Sequence, residues 1–413
     1  MLIILWTALS IGMLVVIFGA IFGALAAVLD SRDYESGRIE ERQIERPCEI
    51  LILGYDRNIG GGIVAVTETL LEAIPNIRLH PIKHCYGARD LWLYAASTIK
   101  FAGVALSRRK YLLIHGIVGS RGDRVRMIPA LVICALLRIP ICVQYHKNVG
   151  GLIFKREMLN RLLDLFYRLC TLHVFISNTL RTEFLDMASW VRNSAIIGNA
   201  LPGAWMHLPL HPLEHRDIDV VFFGRWNAEK GIDVLIEYLS MTPRTLRCEI
   251  YTDHAPDIQI RNAVVKPWVE ENGVRAILSR AKLLVLPSFF EAYPTVILEA
   301  LACGTPFVAT EVGGIPDIAY EGGGGLLTKP GNSHMLGWMI EYLLDNPDEW
   351  QQRSAKGSAW VNKACNAEEI MTQWTEIYRG LKSNGRIELH RRFPSRVADH
   401  VGAMSATARG ERS

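Results

Sequence analysis

Short, continuous apolar runs alternate with helical patterns along most of the chain, beginning near residue 47. Amphipathic helical spacing fills the segments between the runs. Strands that are apolar throughout are typical of parallel sheets covered by helices on both faces, so the pattern predicts α/β domains of the doubly wound, Rossmann-like type. The predicted strands are 50–55, 111–115, 141–145, 172–176, 219–223, 248–251, 282–286 and 306–309.

The alternation is interrupted once, between residues 202 and 216, where three prolines and three histidines occur without periodicity. We interpret this interruption as the end of one domain and the start of another. The last helix of the second domain is placed so that it can cross back to the first. The predicted units are an N-terminal domain (48–201), a linker (202–217), a C-terminal domain (218–382) and a basic, mobile tail (383–413) whose arginines alternatively contact anionic lipid.

The first 29 residues contain no charged side chain. This segment is long enough for one membrane-spanning helix. A charged segment, 31–47, follows, and the nearby arginines all lie on this C-terminal side. The positive-inside rule therefore predicts a single-pass anchor, residues 1–30, with the rest of the chain on the cytoplasmic side of the membrane. The absence of a basic segment before the apolar run argues against a cleaved signal peptide.

The overall charge excludes a general nucleic-acid partner. Lys and Arg number 45 against 42 Asp and Glu, a net charge of +3, with no basic cluster of the kind that binds nucleic acid. The eight cysteines form no CxxC pair and no Cys/His metal spacing, so we expect reduced thiols and no metal site.

Two candidate ligand-binding loops follow predicted strands. Gly61 and Gly62 open a helical pattern after the first strand, where small residues let a phosphate or sugar approach the backbone; a structural turn explains them equally well. Arg225 and Lys230 follow the strand that ends at Gly224, and cations at the carboxyl end of a parallel strand suit a diphosphate. The alternative for the cations is ordinary solvated charge.

The strongest motif is a pair of glutamates, Glu291 and Glu299, separated by seven residues after the strand at 282–286. Glu291 lies in the turn, and Glu299 lies within the following helix, where a buried carboxylate without a partner is costly and a ligand role is favoured. Carboxylates accept hydrogen bonds from hydroxyl groups. The helix starts near Thr295, so its free N–H groups are predicted to hold phosphate oxygens.

These motifs together resemble the signature of the retaining GT-B glycosyltransferases of family 4, the glycosyl transferases group 1. The resemblance is dense from about residue 218 to 331 and thinner from about 50 to 200. It implies the GT-B fold, in which two Rossmann-like domains face a central cleft. The matching segments are the two glutamates with 300–306, the Gly-Arg and Lys-Gly elements at 224–231, the strand at 174–177 with Asn199, the segment 312–317 and the glycine-rich turn at 322–327.

The resemblance also implies a role for each matching residue. Glu291 contacts hydroxyls of the donor sugar, and Glu299 binds the ribose of the nucleotide. Arg225 and Lys230 neutralise the donor diphosphate. Gly61 and Gly62 let the N-terminal domain close over the donor.

Among the histidines that follow or lie within strands, His146 matches the family's active-site histidine near the transferred sugar. His115 is the alternative, and His173 is expected in the core. One departure is at 249–254, where the family often has a glycine-rich turn and this chain has none. Recognition of the base is therefore not predicted from this region.

The resulting expectation is a membrane-anchored, retaining glycosyltransferase that uses a nucleotide-diphosphate sugar without a metal or other cofactor. No Asp-x-Asp motif is present, and an anchor favours a lipid-linked acceptor in surface polysaccharide biosynthesis. Three alternatives stay open: a GT-B nucleotide-sugar epimerase, a catalytically inactive sugar-nucleotide-binding scaffold subunit, and a Rossmann dehydrogenase. The last is disfavoured because no G-x-G-x-x-G follows a strand.

Overall fold

The computed structural model describes residues 49–54, 67–71, 74, 76–81, 88–108, 112–147, 149–152, 157–254 and 258–384. Four predicted features lie outside these residues: the anchor 1–30, the charged segment 31–47, the loop with Gly61 and Gly62, and the tail beyond residue 384. Within the described ranges, no helix combines the length and apolar character that a bilayer crossing requires.

The first half of the described chain forms a parallel sheet of six strands in the order β2-β1-β3-β4-β5-β6. The strands are β1 (Glu49–Gly54), β2 (Ile77–Pro81), β3 (Leu112–Val118), β4 (Ile141–Tyr145), β5 (Leu172–Phe175) and β6 (Ser194–Ile196). The helices around it are α1 (Ala88–Arg108), α2 (Arg121–Arg126), α3 (Ile128–Leu137), α4 (Val149–Leu152), α5 (Glu157–Tyr167) and α6 (Asn178–Met187).

The second half forms another parallel sheet, in which the described strands have the order β12-β11-β10-β7-β8-β9. They are β7 (Ile218–Phe223), β8 (Cys248–Thr252), β9 (Ala263–Pro267), β10 (Ala281–Leu286), β11 (Phe307–Thr310) and β12 (Gly325–Thr328). The helices are α7 (Ile232–Met241), α8 (Glu271–Arg280), α9 (Thr295–Ala302), α10 (Ile315–Gly322), α11 (Ser333–Asp345) and α12 (Pro347–Ala364).

Both faces of each sheet are buried, as the continuous apolar runs predict. In β1, Leu51 and Leu53 belong to one core cluster, whereas Ile50 and Ile52 belong to another on the opposite face. Successive side chains of a strand point to opposite faces, so only an uninterrupted apolar run fills both clusters. Each such side chain contributes about 1.5–3 kcal/mol on burial. The prediction of doubly wound, Rossmann-like domains is therefore confirmed.

The last helix, α13 (Ala367–Asn384), leaves the second half and packs against the first sheet. The ring centroids of Trp374 and His115 are 4.4 Å apart, and the Tyr378 hydroxyl lies 2.8 Å from Nδ1 of His115. Helix α13 thus ties the second domain to the core of the first.

The segment between the sheets, 202–217, is packed against the second domain. The Trp205 indole is buried and donates a hydrogen bond to Glu271 at 2.6 Å. The buried Arg216 guanidinium donates to the carbonyl oxygens of Ala281 and Cys303 at 2.6 and 2.8 Å, and burial lowers its pKa to about 10. This linker is therefore fixed by buried polar contacts.

Within the described ranges, four strands have no counterpart in the prediction: β2, β6, β9 and β12. All four lie at sheet edges. An edge strand is covered less than a central one and does not need a continuous apolar run. The predicted glycine-rich turn at 322–327 overlaps β12 at residues 325–327. The prediction of a turn is therefore wrong for these three residues.

Candidate functional site

Two strand-end loops of the second sheet meet in a backbone contact that only glycine permits. Gly231, after β7, has φ of +66°, and a Cβ there would lie 1.9 Å from the carbonyl oxygen of Pro287, which follows β10. The Phe289 N–H donates to the carbonyl oxygen of Glu229 at 2.8 Å. The two loops are therefore held in fixed register at the carboxyl edge of the sheet.

This contact brings two of the predicted site residues together. Lys230 Nζ lies 2.6 Å from Oε1 of Glu291, and the Ser288 hydroxyl donates to the same oxygen at 2.8 Å. The Glu291 side chain is 8% exposed and that of Lys230 is 27% exposed. A cation and an acid at this edge can serve the phosphate and hydroxyl groups of one ligand.

A third loop fixes the backbone of Glu291. Gly313, after β11, has φ of +55°, and a Cβ there would lie 2.0 Å from the Glu291 carbonyl oxygen. The Gly314 N–H donates to the carbonyl oxygen of Ala292 at 2.7 Å. Glu291 is thus positioned from both sides of its loop.

Arg225 is exposed in the loop after β7. In the part of the chain that the structure describes, no ion pair involving its guanidinium is found. The loop is held by Asp253, whose Oδ1 accepts the Trp226 N–H at 3.1 Å, and this bond lowers the pKa of the Asp253 carboxyl. The segment 249–254, which lacks the glycine-rich turn often found there in the family that the sequence resembles, therefore positions the Arg225 loop.

Glu299 is the fifth residue of α9 and is half-buried. Desolvation, together with a smaller effect of the nearby Glu271 carboxylate, raises the pKa of the Glu299 carboxyl to about 7. None of the described residues donates a hydrogen bond to the Glu299 carboxylate. Thr295 begins the same helix, and no side chain among the described residues caps the helix start. The Ile297 N–H donates to the Pro294 carbonyl oxygen at 3.2 Å, so the N–H groups of Thr295 and Val296 are the ones available to a ligand.

The first sheet contributes His146, directly after β4. The backbone N–H of His146 donates to the Val118 carbonyl oxygen at 2.8 Å. The ring nitrogen Nε2 is buried and has no hydrogen-bond partner within the described ranges. Burial lowers the pKa of His146 to about 4, so the imidazole is neutral near pH 7. A buried ring nitrogen without a partner is costly and favours a ligand contact.

The other two histidines are enclosed by partners. His115 contacts Gln144 at 3.1 Å through Nε2 and the hydroxyl of Tyr378 through Nδ1, and burial lowers its pKa to about 3. His173 contacts the Tyr145 hydroxyl at 2.9 Å. The structure therefore places both in the core.

The carboxyl edges of the two sheets face each other. Thr179, at the start of α6 after β5, donates its N–H and hydroxyl to the carboxylate of Asp317, at the start of α10 after β11, at 2.9 and 2.8 Å. Asn199 donates to the Tyr293 carbonyl oxygen at 3.2 Å. His146 and the Lys230–Glu291 pair consequently lie on strand ends that border the same cleft.

Sequence reasoning gave no role to Ser288, Asp253 or Thr179. Ser288 and Asp253 act within loops that follow predicted strands, so their position was a usable signal. The partnership of Thr179 with Asp317 joins residues 138 positions apart, and nothing in one sequence reports it. Over the described ranges, no group of three or more His, Cys, Asp or Glu side chains is arranged to hold a metal ion.

Two Rossmann-like domains with facing carboxyl edges define the GT-B class, and this part of the fold prediction is confirmed. Residues 217–346 match the family described as glycosyl transferases group 1. An uncharacterized glycosyltransferase of Methanocaldococcus jannaschii is 30% identical over 348 residues, which cover 78% of this chain and 95% of that protein. The chain belongs to the glycosyl transferases group 1 family.

Another relative matches over less of its length. The alpha-maltose-1-phosphate synthase of Mycolicibacterium smegmatis is 30% identical over 39% of this chain and 47% of its own length.

Among solved structures, Anabaena HepE in complex with UDP has a TM-score of 0.62 at 17% identity, covering 80% of this chain and 99% of that one. A glycosyltransferase from Rickettsia africae has a TM-score of 0.64 at 12% identity, with 82% and 99% coverage. These structures share the fold.

Proposed function

We propose that the protein is a retaining glycosyltransferase of family 4 that moves a sugar from a nucleotide-diphosphate sugar to an acceptor hydroxyl. The observation that carries the proposal is the 2.6 Å contact between Lys230 and Glu291 at the edge facing His146. It joins a cation suited to phosphate with an acid suited to sugar hydroxyls. Anabaena HepE, a fold neighbour, has been solved in complex with UDP-glucose, which agrees with a nucleotide-sugar donor.

In the proposed reaction, the bond between the anomeric carbon and the diphosphate oxygen breaks, and the acceptor oxygen bonds to the anomeric carbon. Lys230 and Arg225 stabilise the negative charge that develops on the departing nucleoside diphosphate. These cations take the place that a divalent metal has in other transferases. The acceptor hydroxyl passes its proton to the departing diphosphate oxygen, and the nucleoside diphosphate leaves with that proton as the second product.

The remaining residues orient the donor. Glu291 accepts hydrogen bonds from sugar hydroxyls, and the first-turn N–H groups of α9, at Thr295, donate to phosphate oxygens. Glu299 accepts hydrogen bonds from the ribose. His146, neutral and unpartnered at Nε2 among the residues described, contacts the transferred sugar.

The proposed cellular setting rests on the uncharged residues 1–29 and the arginines that follow them. We propose a single-pass membrane protein with the cleft on the cytoplasmic side. A fixed distance from the bilayer favours a lipid-linked acceptor, in keeping with a role in surface polysaccharide biosynthesis.

The test is a donor screen with the purified full chain, with nucleoside diphosphate release measured with and without lipid extract. We expect one donor to be turned over faster when lipid extract is present, and the new linkage to keep the anomeric configuration by NMR. Turnover without acceptor to an epimerised donor would favour the epimerase alternative. Donor binding without turnover across all acceptors would favour an inactive scaffold.

A further inference from the structure

Helix α5 exposes a continuous apolar stripe on the first domain. Met158, Leu162, Leu165 and Leu169, spaced four, three and four residues apart, are 82%, 51%, 60% and 42% exposed. This spacing places them on one side of the helix and of its C-terminal extension. The buried Leu163 and Tyr167 already supply the contact with the core, so no packing contact within the described part of the domain requires the stripe.

A basic cavity of about 470 Å³ lies beside the end of this stripe. Arg168, next to Leu169 in the chain, lines it together with Trp190 and Arg192, and no carboxylate is among its lining residues. The Arg168 guanidinium lies 5.8 Å from the centre of the Trp190 ring. Nε1 of Trp190 is buried, and no hydrogen-bond partner for it occurs in the described chain. Two guanidinium groups and an indole N–H suit a phosphate group.

The cavity lies at the amino edge of the first sheet, opposite the cleft. Its lining includes Thr171, just before β5, and Asn193, just before β6. Because the sheet is parallel, β1 also begins at this edge, at Glu49. The chain preceding Glu49, which includes the uncharged residues 1–29, therefore joins the domain at the edge where the cavity lies.

We propose that the apolar stripe and the basic cavity form one docking surface for a bilayer that contains anionic phospholipid, with a lipid phosphate held by Arg168, Arg192 and the Trp190 N–H. Aliphatic side chains beside cations are the pattern of helices that lie in a membrane interface. Anionic lipid complements the cavity, which has two cations and no acid. This surface is distinct from the transfer site, and its existence does not depend on the proposed reaction.

The test uses the full chain in vesicles of neutral phosphatidylcholine, or of the same lipid with about one third phosphatidylglycerol. A photocrosslinking amino acid replaces Leu165 and, as the control position, Tyr320, which is 76% exposed on α10 of the second domain. Captured lipid is measured by mass spectrometry. We expect capture at position 165 to exceed capture at 320 and to rise at least about fivefold with phosphatidylglycerol.

Two charge-reversal pairs test the cavity. Arg168→Glu with Arg192→Glu should lower capture at position 165 in anionic vesicles by at least about twenty-fivefold, because each of the two basic residues near the surface strengthens binding roughly fivefold. Lys356→Glu with Lys363→Glu makes the same charge change on the exposed side of α12 and should leave capture unchanged. Circular dichroism of each variant checks that it is folded.

The proposal would be overturned by equal capture at positions 165 and 320 or by equal capture from neutral and anionic vesicles. Crosslinking of position 165 to a second copy of the chain instead of lipid would also overturn it. Added inorganic phosphate separates the two possible sources of the anion. Loss of capture at low millimolar phosphate would show a site for free phosphate and would also overturn it.

Discussion

The two sheets present different chemistry to the cleft between them. On the second sheet, the loops after β7, β10 and β11 hold Lys230 and Glu291 by ion pairing, hydrogen bonds and glycine-dependent backbone contacts. On the first, His146 presents a neutral imidazole whose buried Nε2 has no partner from the described chain. The second sheet is therefore organised before ligand arrives, whereas the first offers a group that a ligand would satisfy.

The largest expected effect comes from removing the cation of the organised side. Lys230→Ala should lower kcat/KM for transfer roughly a thousandfold, a loss of about 4 kcal/mol of transition-state stabilisation. In the proposed reaction, the variant lacks the positive charge beside the diphosphate, on which negative charge develops as it leaves. Initial rates of nucleoside diphosphate release measure the loss.

The matched control is Lys282→Ala. Lys282 pairs with Asp219 at 2.8 Å, and its side chain is 28% exposed, nearly the same fraction as that of Lys230. This pair lies near the start of β10 and β7, at the edge of the sheet away from the cleft. We expect less than about a twofold change in rate, since partly exposed ion pairs contribute little. Equal losses in both variants would mean that Lys230 acts only in folding.

The next effect separates the two histidines. His146→Ala should lower kcat about a hundredfold with little change in stability, because the side chain contacts the transferred sugar in the proposed complex. His115→Ala should instead lower the free energy of unfolding by about 3 kcal/mol, since Gln144 and Tyr378 lose a buried partner. Denaturant melts and single-turnover rates measure the two effects. A reversed pattern would make His115 the active-site histidine.

The smallest effect is a pH dependence of donor affinity. Glu299 has a pKa of about 7 because of desolvation. In the proposed complex the carboxylate form accepts ribose hydrogen bonds, so binding releases a proton. Donor affinity should therefore rise with pH up to about 7 and then level off. Between pH 7 and pH 6 donor affinity should fall severalfold, approaching tenfold per unit at lower pH.

Glu299→Gln is the control for this pH dependence, because the amide cannot titrate. Its donor affinity should be weaker than that of the wild type at pH 8 and flat between pH 6 and 8 in isothermal titrations. A wild-type affinity that does not change over this range would rule out Glu299 as the ribose ligand.

The central strands of both sheets were predictable because they are buried on both faces. The predicted strand 141–145 coincides with β4, and the other central strands differ by a few residues at their ends. Edge strands such as β9, in which Val264 is 58% exposed, do not need an apolar run and were missed. Sequence patterns report burial, and the edges are where burial is incomplete.

The site divides in the same way. Lys230 and Glu291 follow predicted strands, and parallel strand ends converge, so their meeting could be expected. The enclosure of His115, which distinguishes it from His146, could not be expected from the local sequence. It depends on Tyr378, 263 residues further along the chain from His115. Contacts made by a helix that returns from the other domain leave no local signal.

The most direct test is a crystal structure of the full chain with a nucleoside diphosphate bound. We predict that the diphosphate oxygens lie within hydrogen-bonding distance of Lys230 and Arg225 and that the ribose lies against Glu299. A nucleotide bound elsewhere, with no contact to Lys230 or Arg225, would contradict the assignment of the cleft as the donor site.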